Sequence, residues 1–247
     1  MIMLEQLTLS NPGEVLAVCG LFILATQQDR HATLAWTEHG ATIDTTQSLD
    51  NLLDKVVNVT VTILPDAKQS KAIKLGGLSI DWWDYRYRDG ALWAGRVNAG
   101  SLTETMLEPC KKQREDFWNY QVAISQTTGF DSAYSWTPLD IGWSPNKQKD
   151  GGIAVTMFAR PWIEMLALIG MQGFQPIKKK IEGIIYWEYQ LWRNPYRLIP
   201  AIFVFNERLS IGDPMRSLFD QMRFRSRVLN KSKYFKVLAF SEMISEV

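Results

Sequence analysis

The chain has 247 residues, 46% hydrophobic, 12% aromatic and 21% charged. That composition excludes a disordered, collagen-like or disulfide-stapled protein, and at roughly 150 residues per domain the length allows one or two domains. With 27 Lys and Arg against 26 Asp and Glu, the formal charge is +1; nothing global marks a polyanion binder, so any basic surface must come from local segregation.

Leu4 to Leu9 reads as a short strand. Ser10-Asn11-Pro12-Gly13-Glu14 then offers a capping side chain, a proline suited to a first turn and an early carboxylate, which predicts a helix running to about Gln28. Its apolar core, Val15 to Ala25, is shorter than a membrane span. No Lys or Arg precedes Arg30, as a signal peptide would require, so the run predicts a buried helix. Thr33 to Trp36 and Ala41 to Thr45 form a predicted hairpin around His39-Gly40, completing a β-α-β-β unit. In the middle, Leu52 to Leu64 reads as a strand, Asp81 to Arg88 is dense in aromatic and charged residues, Ser101 to Gln126 reads as a helix, and Phe130 to Asp150 is a loop-rich insertion. Ile153 to Phe158 then predicts a strand, Arg160-Pro161 a helix start and Trp162 to Met171 an apolar helix. Strands are predicted at Gly183 to Tyr189 and Leu198 to Phe205. Asp213-Pro214 opens a final helix, with Met215, Leu218, Phe219, Met222 and Leu229 as its apolar stripe.

The two apolar helices share a pattern: Glu14-Val15-Leu16-Ala17-Val18-Cys19-Gly20-Leu21 matches Glu164-Met165-Leu166-Ala167-Leu168-Ile169-Gly170-Met171. The expected fold is therefore α+β with two related β-α-β-β units, a pseudo-duplication. Residues 1–150 would hold the first unit and an aromatic-rich insertion, and residues 151–247 the second unit and a basic C-terminal helix, with no linker between autonomous domains.

Catalytic signatures are sparse. Cys19 and Cys110 have no C-x-x-C partner, which fits a reducing compartment. His31 and His39 lack metal-ligand spacing, and no nucleophile elbow or phosphate-binding glycine loop occurs. Neither a catalytic residue, a metal nor a cofactor is predicted. Asp81 and Asp84, flanking Trp82-Trp83, are the one carboxylate pair to weigh, with partners for Arg86, Arg88 or Arg96 as the alternative role. Ten tryptophans raise a carbohydrate platform as a further alternative. Trp93, Arg96 and Asn98, with Asn146-Lys147, form a candidate ligand-approach loop.

Charge segregation is stronger. Residues 1–60 carry a net −5 and residues 178–236 a net +8. The candidate nucleic-acid contacts are Lys178, Lys179, Lys180, Arg193, Arg197, Arg216, Arg223, Arg225, Arg227, Lys231 and Lys233, with Arg216, Arg223 and Arg227 expected on one helix face. A solvated face or a protein interface would use the same residues.

Several segments in order carry a resemblance: Asn11-Pro12-Gly13-Glu14 running into Ala17 to Leu21, Leu78-Ser79-Ile80-Asp81-Trp82-Trp83, Trp93-Ala94-Gly95, Trp136 to Asn146 and Glu164 to Pro176. Over about the first 175 residues the chain resembles a protein of the subtype I-U (I-G) CRISPR effector system, proposed as a reduced large subunit of its surveillance complex (Cascade). The basic C-terminal part matches by character only, and Arg96-Val97 stand where the family pattern continues with glutamines. The resemblance implies a cytoplasmic, non-enzymatic subunit with no membrane contact, partnered by other effector subunits and by guide RNA or target DNA. An assembly protein of the same locus without nucleic-acid contact is the alternative.

Overall fold

The computed structural model describes residues 1–58, 61–63, 73–75, 77–83, 92, 99–124, 127–134, 157–206, 221–230 and 236–244. In chain order the elements are β1 (Ile2–Leu4), α1 (Pro12–Thr26), β2 (Thr33–Trp36), β3 (Ala41–Asp44), α2 (Leu49–Val57), β4 (Thr62–Ile63), β5 (Ile73–Leu75), β6 (Leu78–Ile80), α3 (Ala99–Lys112) and β7 (Val122–Ile124). They continue with β8 (Met157–Ala159), α4 (Pro161–Gly170), β9 (Ile177–Ile181), β10 (Ile184–Trp192), α5 (Leu198–Phe205), β11 (Gln221–Asn230), β12 (Lys236–Leu238) and β13 (Glu242–Met243). This is a mixed α+β protein with several small antiparallel sheets.

Its centre is a helix pair. In α1 the Asn11 side chain accepts the Gly13 amide at 3.0 Å, and Pro12 occupies the first turn, where its missing N–H costs nothing. Every residue from Pro12 to Ala25 is buried, so the helix has no polar stripe and lies in the interior. In the same way α4 starts on a proline, carries Glu164 in its first turn and is buried throughout. The helices run side by side in the same direction, and their glycines bring the backbones into contact. A Cβ on Gly20 would stand 2.0 Å from the Leu166 carbonyl oxygen, and one on Gly170 would stand 2.1 Å from that of Leu16. The matched positions of the two sequence segments thus meet each other reciprocally.

The flanking strands do not follow. After α1, β2 and β3 join β1 in one sheet of order β1-β3-β2, whereas β8 pairs with β7 and the strands after α4 belong to a different sheet, ordered β12-β11-β10-β9. The order β-α-β-β recurs along the chain, but the expected unit with its own sheet does not.

Four other expectations are corrected. Residues 49–57 are a helix rather than part of a strand, because Ser48 accepts the Asn51 amide at 3.2 Å and Leu52, Leu53, Val56 and Val57 are buried at helical spacing. The helix expected over 101–126 ends at Lys112, and residues 122–124 are a strand. Leu198–Phe205 is a helix, and Pro200 in its first turn is at home there but not in a central strand. The basic C-terminal helix is, over residues 221–230, the strand β11; residues 213–220, with Leu218 and Phe219, lie outside the described residues.

The N-termini of α1 and α4 converge on a buried charge cluster. Arg160 donates to Asp131 through Nε at 2.7 Å and Nη2 at 2.8 Å, and lies 2.8 Å from Glu14. Asn11 donates to Asp131 at 2.7 Å, and Thr8 N–H to Glu14 at 2.8 Å. Glu164 accepts the Asp131 amide at 3.1 Å, the Phe130 amide at 3.4 Å and the Thr128 hydroxyl. Among the described residues, three buried carboxylates gather around one buried guanidinium. Burial, helped by the neighbouring Asp131 charge, pushes the Glu164 carboxyl up to about 8.

Candidate nucleic-acid interface

β9, β10 and β11 form the platform. The β9–β10 hairpin turns through Glu182 and Gly183, both at positive φ (49° and 84°), the geometry that matches strand twist in a two-residue loop. The register then aligns three strands: Tyr186 stands between Lys179 and Arg227, and Glu188 stands between Ile177 and Arg225. Side chains alternate faces along each strand, so Lys179, Tyr186, Glu188, Gln190, Arg223, Arg225 and Arg227 share one face. Phe224, Ser226, Val228, Trp187, Tyr189 and Leu191 lie on the other, and all six are buried.

Glu188 is the centre of that face. Lys179 Nζ and Arg223 Nη2 each reach its Oε2 at 2.6 Å, while Arg225 reaches Oε1 through Nε at 2.8 Å and Nη2 at 2.7 Å. These three side chains cover Glu188 completely yet keep 36%, 25% and 27% of their own surface. Burial works against the carboxylate charge, but the bonds from Lys179, Arg225 and Arg223 outweigh it and hold Glu188 below its usual range. Among the described residues, one carboxylate is held by three cations, a local excess of two positive charges. Arg227, exposed beside them, adds a third. Glu242 of β13, opposite Arg225 in register, removes one. The Arg225 guanidinium also sits 5.5 Å from the Tyr186 ring centre, a cation–π contact that steadies both groups.

Of the predicted contacts, the structure brings Lys179, Arg223, Arg225 and Arg227 together. Lys178 and Lys180 are exposed on the same edge strand but alternate to its other side. Arg193 lies 3.6 Å from Glu38, and Arg197 is exposed at the start of α5, so both stand beyond the far end of β10. Arg216, Lys231 and Lys233 lie outside the described residues, as do Trp93, Arg96, Asn98, Asn146 and Lys147. Glu188 and Tyr186 are not among the predicted site residues. Their signal is the alternation Tyr186-x-Glu188 facing Arg223-x-Arg225-x-Arg227, a period of two that marks strands and not a helix face.

The described members of the rival sites hold structural positions. Asp81 exchanges hydrogen bonds with Gln172, its N–H donating at 3.1 Å and its carboxylate accepting at 2.9 Å; Asp84 is outside the described residues. Trp36, Trp82, Trp162, Trp187 and Trp192 are fully buried, which removes them from any carbohydrate platform. Among the described residues no cluster of His, Cys, Asp or Glu is arranged to hold a metal ion, and no helix is long and apolar enough to cross a membrane. Cys19 and Cys110 are unbridged and buried, and burial raises both thiols well above their usual range. No protein-family model and no curated protein matches the chain.

Proposed function

We propose that this protein is a non-enzymatic, cytoplasmic subunit of a type I CRISPR RNA-guided complex, in which the β9–β10–β11 face holds the phosphate backbone of guide RNA or target DNA. The observation that carries the nucleic-acid contact is the set of three cations fixed around one buried carboxylate, with Arg227 exposed alongside. Arg225 keeps part of its surface beside that carboxylate and Arg227 is exposed next to it, so guanidinium donors stand where phosphate oxygens can meet them. The resemblance over the first 175 residues supplies the complex, and the buried unbridged cysteines suit a reducing compartment. In this reading the matched α1 and α4 segments are a duplicated helix whose strands have since joined different sheets.

The test is binding of labelled oligonucleotides across a salt series, together with recovery of guide RNA and neighbouring subunits on purification from the native host. Arg225→Gln combined with Arg227→Gln removes two charges, while the shorter amide side chain introduced at the first position can still bond Glu188. The pair should reduce the log–log salt slope by about 1.5, since each neutralised phosphate contributes ~0.7–0.9. An unchanged slope and affinity would favour the assembly role without nucleic-acid contact.

A further inference from the structure

We infer that the same face is a reader of unpaired strands, with Tyr186 as the seat of one base. This rests on the nucleic-acid reading above and adds to it the class of strand. Tyr186 is the aromatic side chain of the basic row: its neighbours in register are Lys179 on one side and Arg227 on the other, each one strand away, ~4.8 Å. A nucleotide whose base lies against Tyr186 therefore has a cation on each side for the phosphates that precede and follow it. Toward the hairpin turn the next pair on this face is Ile181 and Ile184, partly exposed and apolar, which extends the surface for a neighbouring base. Away from the turn come Arg225 and Arg223, held by Glu188.

The choice of an unpaired strand follows from where a duplex keeps its bases. In a duplex the base faces are stacked on one another and only phosphates and base edges reach the surface, so a half-buried ring on a sheet face gains nothing from it. An unpaired strand offers a π-face at every step. Arg225 lies over one face of the ring, 5.5 Å from its centre, and holds it before any ligand arrives; the base therefore takes the opposite face.

The probes are 20-nucleotide oligo-dT, oligo-U and a DNA hairpin duplex of equal phosphate number, each titrated against the full-length protein. Tyr186→Leu keeps an apolar side chain at a half-buried position but lacks the ring, and Tyr186→Phe keeps the ring. Tyr186→Leu should weaken oligo-dT or oligo-U binding about 5- to 150-fold, the equivalent of the ~1–3 kcal/mol of one base–aromatic stack at 1.4 kcal/mol per decade. Tyr186→Phe should bind as the parent does, and duplex binding should not change with either. The larger loss between the two single-stranded probes identifies DNA or RNA as the natural strand. Equal loss on single strands and duplex overturns the proposal, as does no loss on any probe. If Arg225→Gln with Arg227→Gln still lowers binding in those cases, the phosphate interface stands and only the base seat falls. If it too has no effect, the interface itself is wrong.

Discussion

Two charge clusters in this protein have the same parts in opposite ratio. At the head of α1 and α4, Glu14, Asp131 and Glu164 surround Arg160; on the β10 face, Lys179, Arg223 and Arg225 surround Glu188. The first is sealed, with Arg160 only 7% exposed, and the proton that Glu164 retains up to about pH 8 removes one of its two surplus negative charges. The second keeps its surplus because its cations remain partly exposed to solvent. A buried cluster is driven to shed excess charge, whereas an open one can keep it. The difference separates a sealed ion network from a surface that keeps positive charge.

The sealed cluster breaks most severely at its single cation. Arg160→Leu leaves Glu14 and Asp131 buried without their guanidinium and should cost about 3–5 kcal/mol, measured by urea denaturation near pH 7. In the open cluster Arg227→Gln removes a cation from solvent and should leave the unfolding midpoint where it was. Comparable losses in the two variants would erase the distinction.

The next largest effect concerns the helix pair whose N-termini carry the first cluster. At Gly20 and Gly170 an added Cβ meets a main-chain carbonyl, which cannot rotate away, so the two helices must separate. Overpacking of this kind costs about 1–3 kcal/mol, while alanine's better helix propensity offsets ~1 kcal/mol. Gly20→Ala and Gly170→Ala should both destabilise, and to a similar degree, because each residue meets the other helix in the same way. A nearly neutral result at either position would show the contact to be lopsided.

How much of this is legible in the sequence depends on whether local signals agree. α1, the β2–β3 hairpin, α4 and most of β10 are readable because cap, proline and apolar periodicity all point one way. The α5 segment misleads because an apolar run of eight residues has no periodicity to distinguish helix from strand; Pro200 is the deciding residue. At β11 the arginines at 216, 223 and 227 suggest a helix face, although Arg223, Arg225 and Arg227 alternate strictly with Met222, Phe224 and Ser226. The basic character of the site is therefore visible and its geometry is not. Glu188 cannot be placed without register, since only strand pairing across β9, β10 and β11 brings Lys179, 9 residues away in sequence, and Arg225, 37 residues away, to one carboxylate. The Glu14, Asp131, Arg160 and Glu164 cluster is also invisible in sequence, because Asp131 enters it from a loop 120 residues from Asn11.

The sharpest comparison of the two clusters is the pH dependence of stability. Glu164 in the folded protein holds its proton up to about pH 8, against an ordinary value of 4.5. Between those limits the native state binds a proton that the unfolded chain has released, so this group's contribution is fully present below about 4.5 and is lost as pH rises toward 8. Glu188 is displaced the other way: burial alone would raise it, but its bonds to Lys179, Arg225 and Arg223 bring it below the ordinary value. Its contribution is present above about 4.5 and is lost as pH falls through its folded value. Glu164→Gln should therefore flatten the decline of stability between about pH 5 and 8 and leave the acid limb alone. Glu188→Gln should flatten the acid limb and leave the decline above about pH 5 alone. Urea midpoints measured from about pH 3 to 8.5 for the parent and both variants check this, and a decline above about pH 5 that persists in Glu164→Gln would mean that the sealed cluster disposes of its surplus charge through another group.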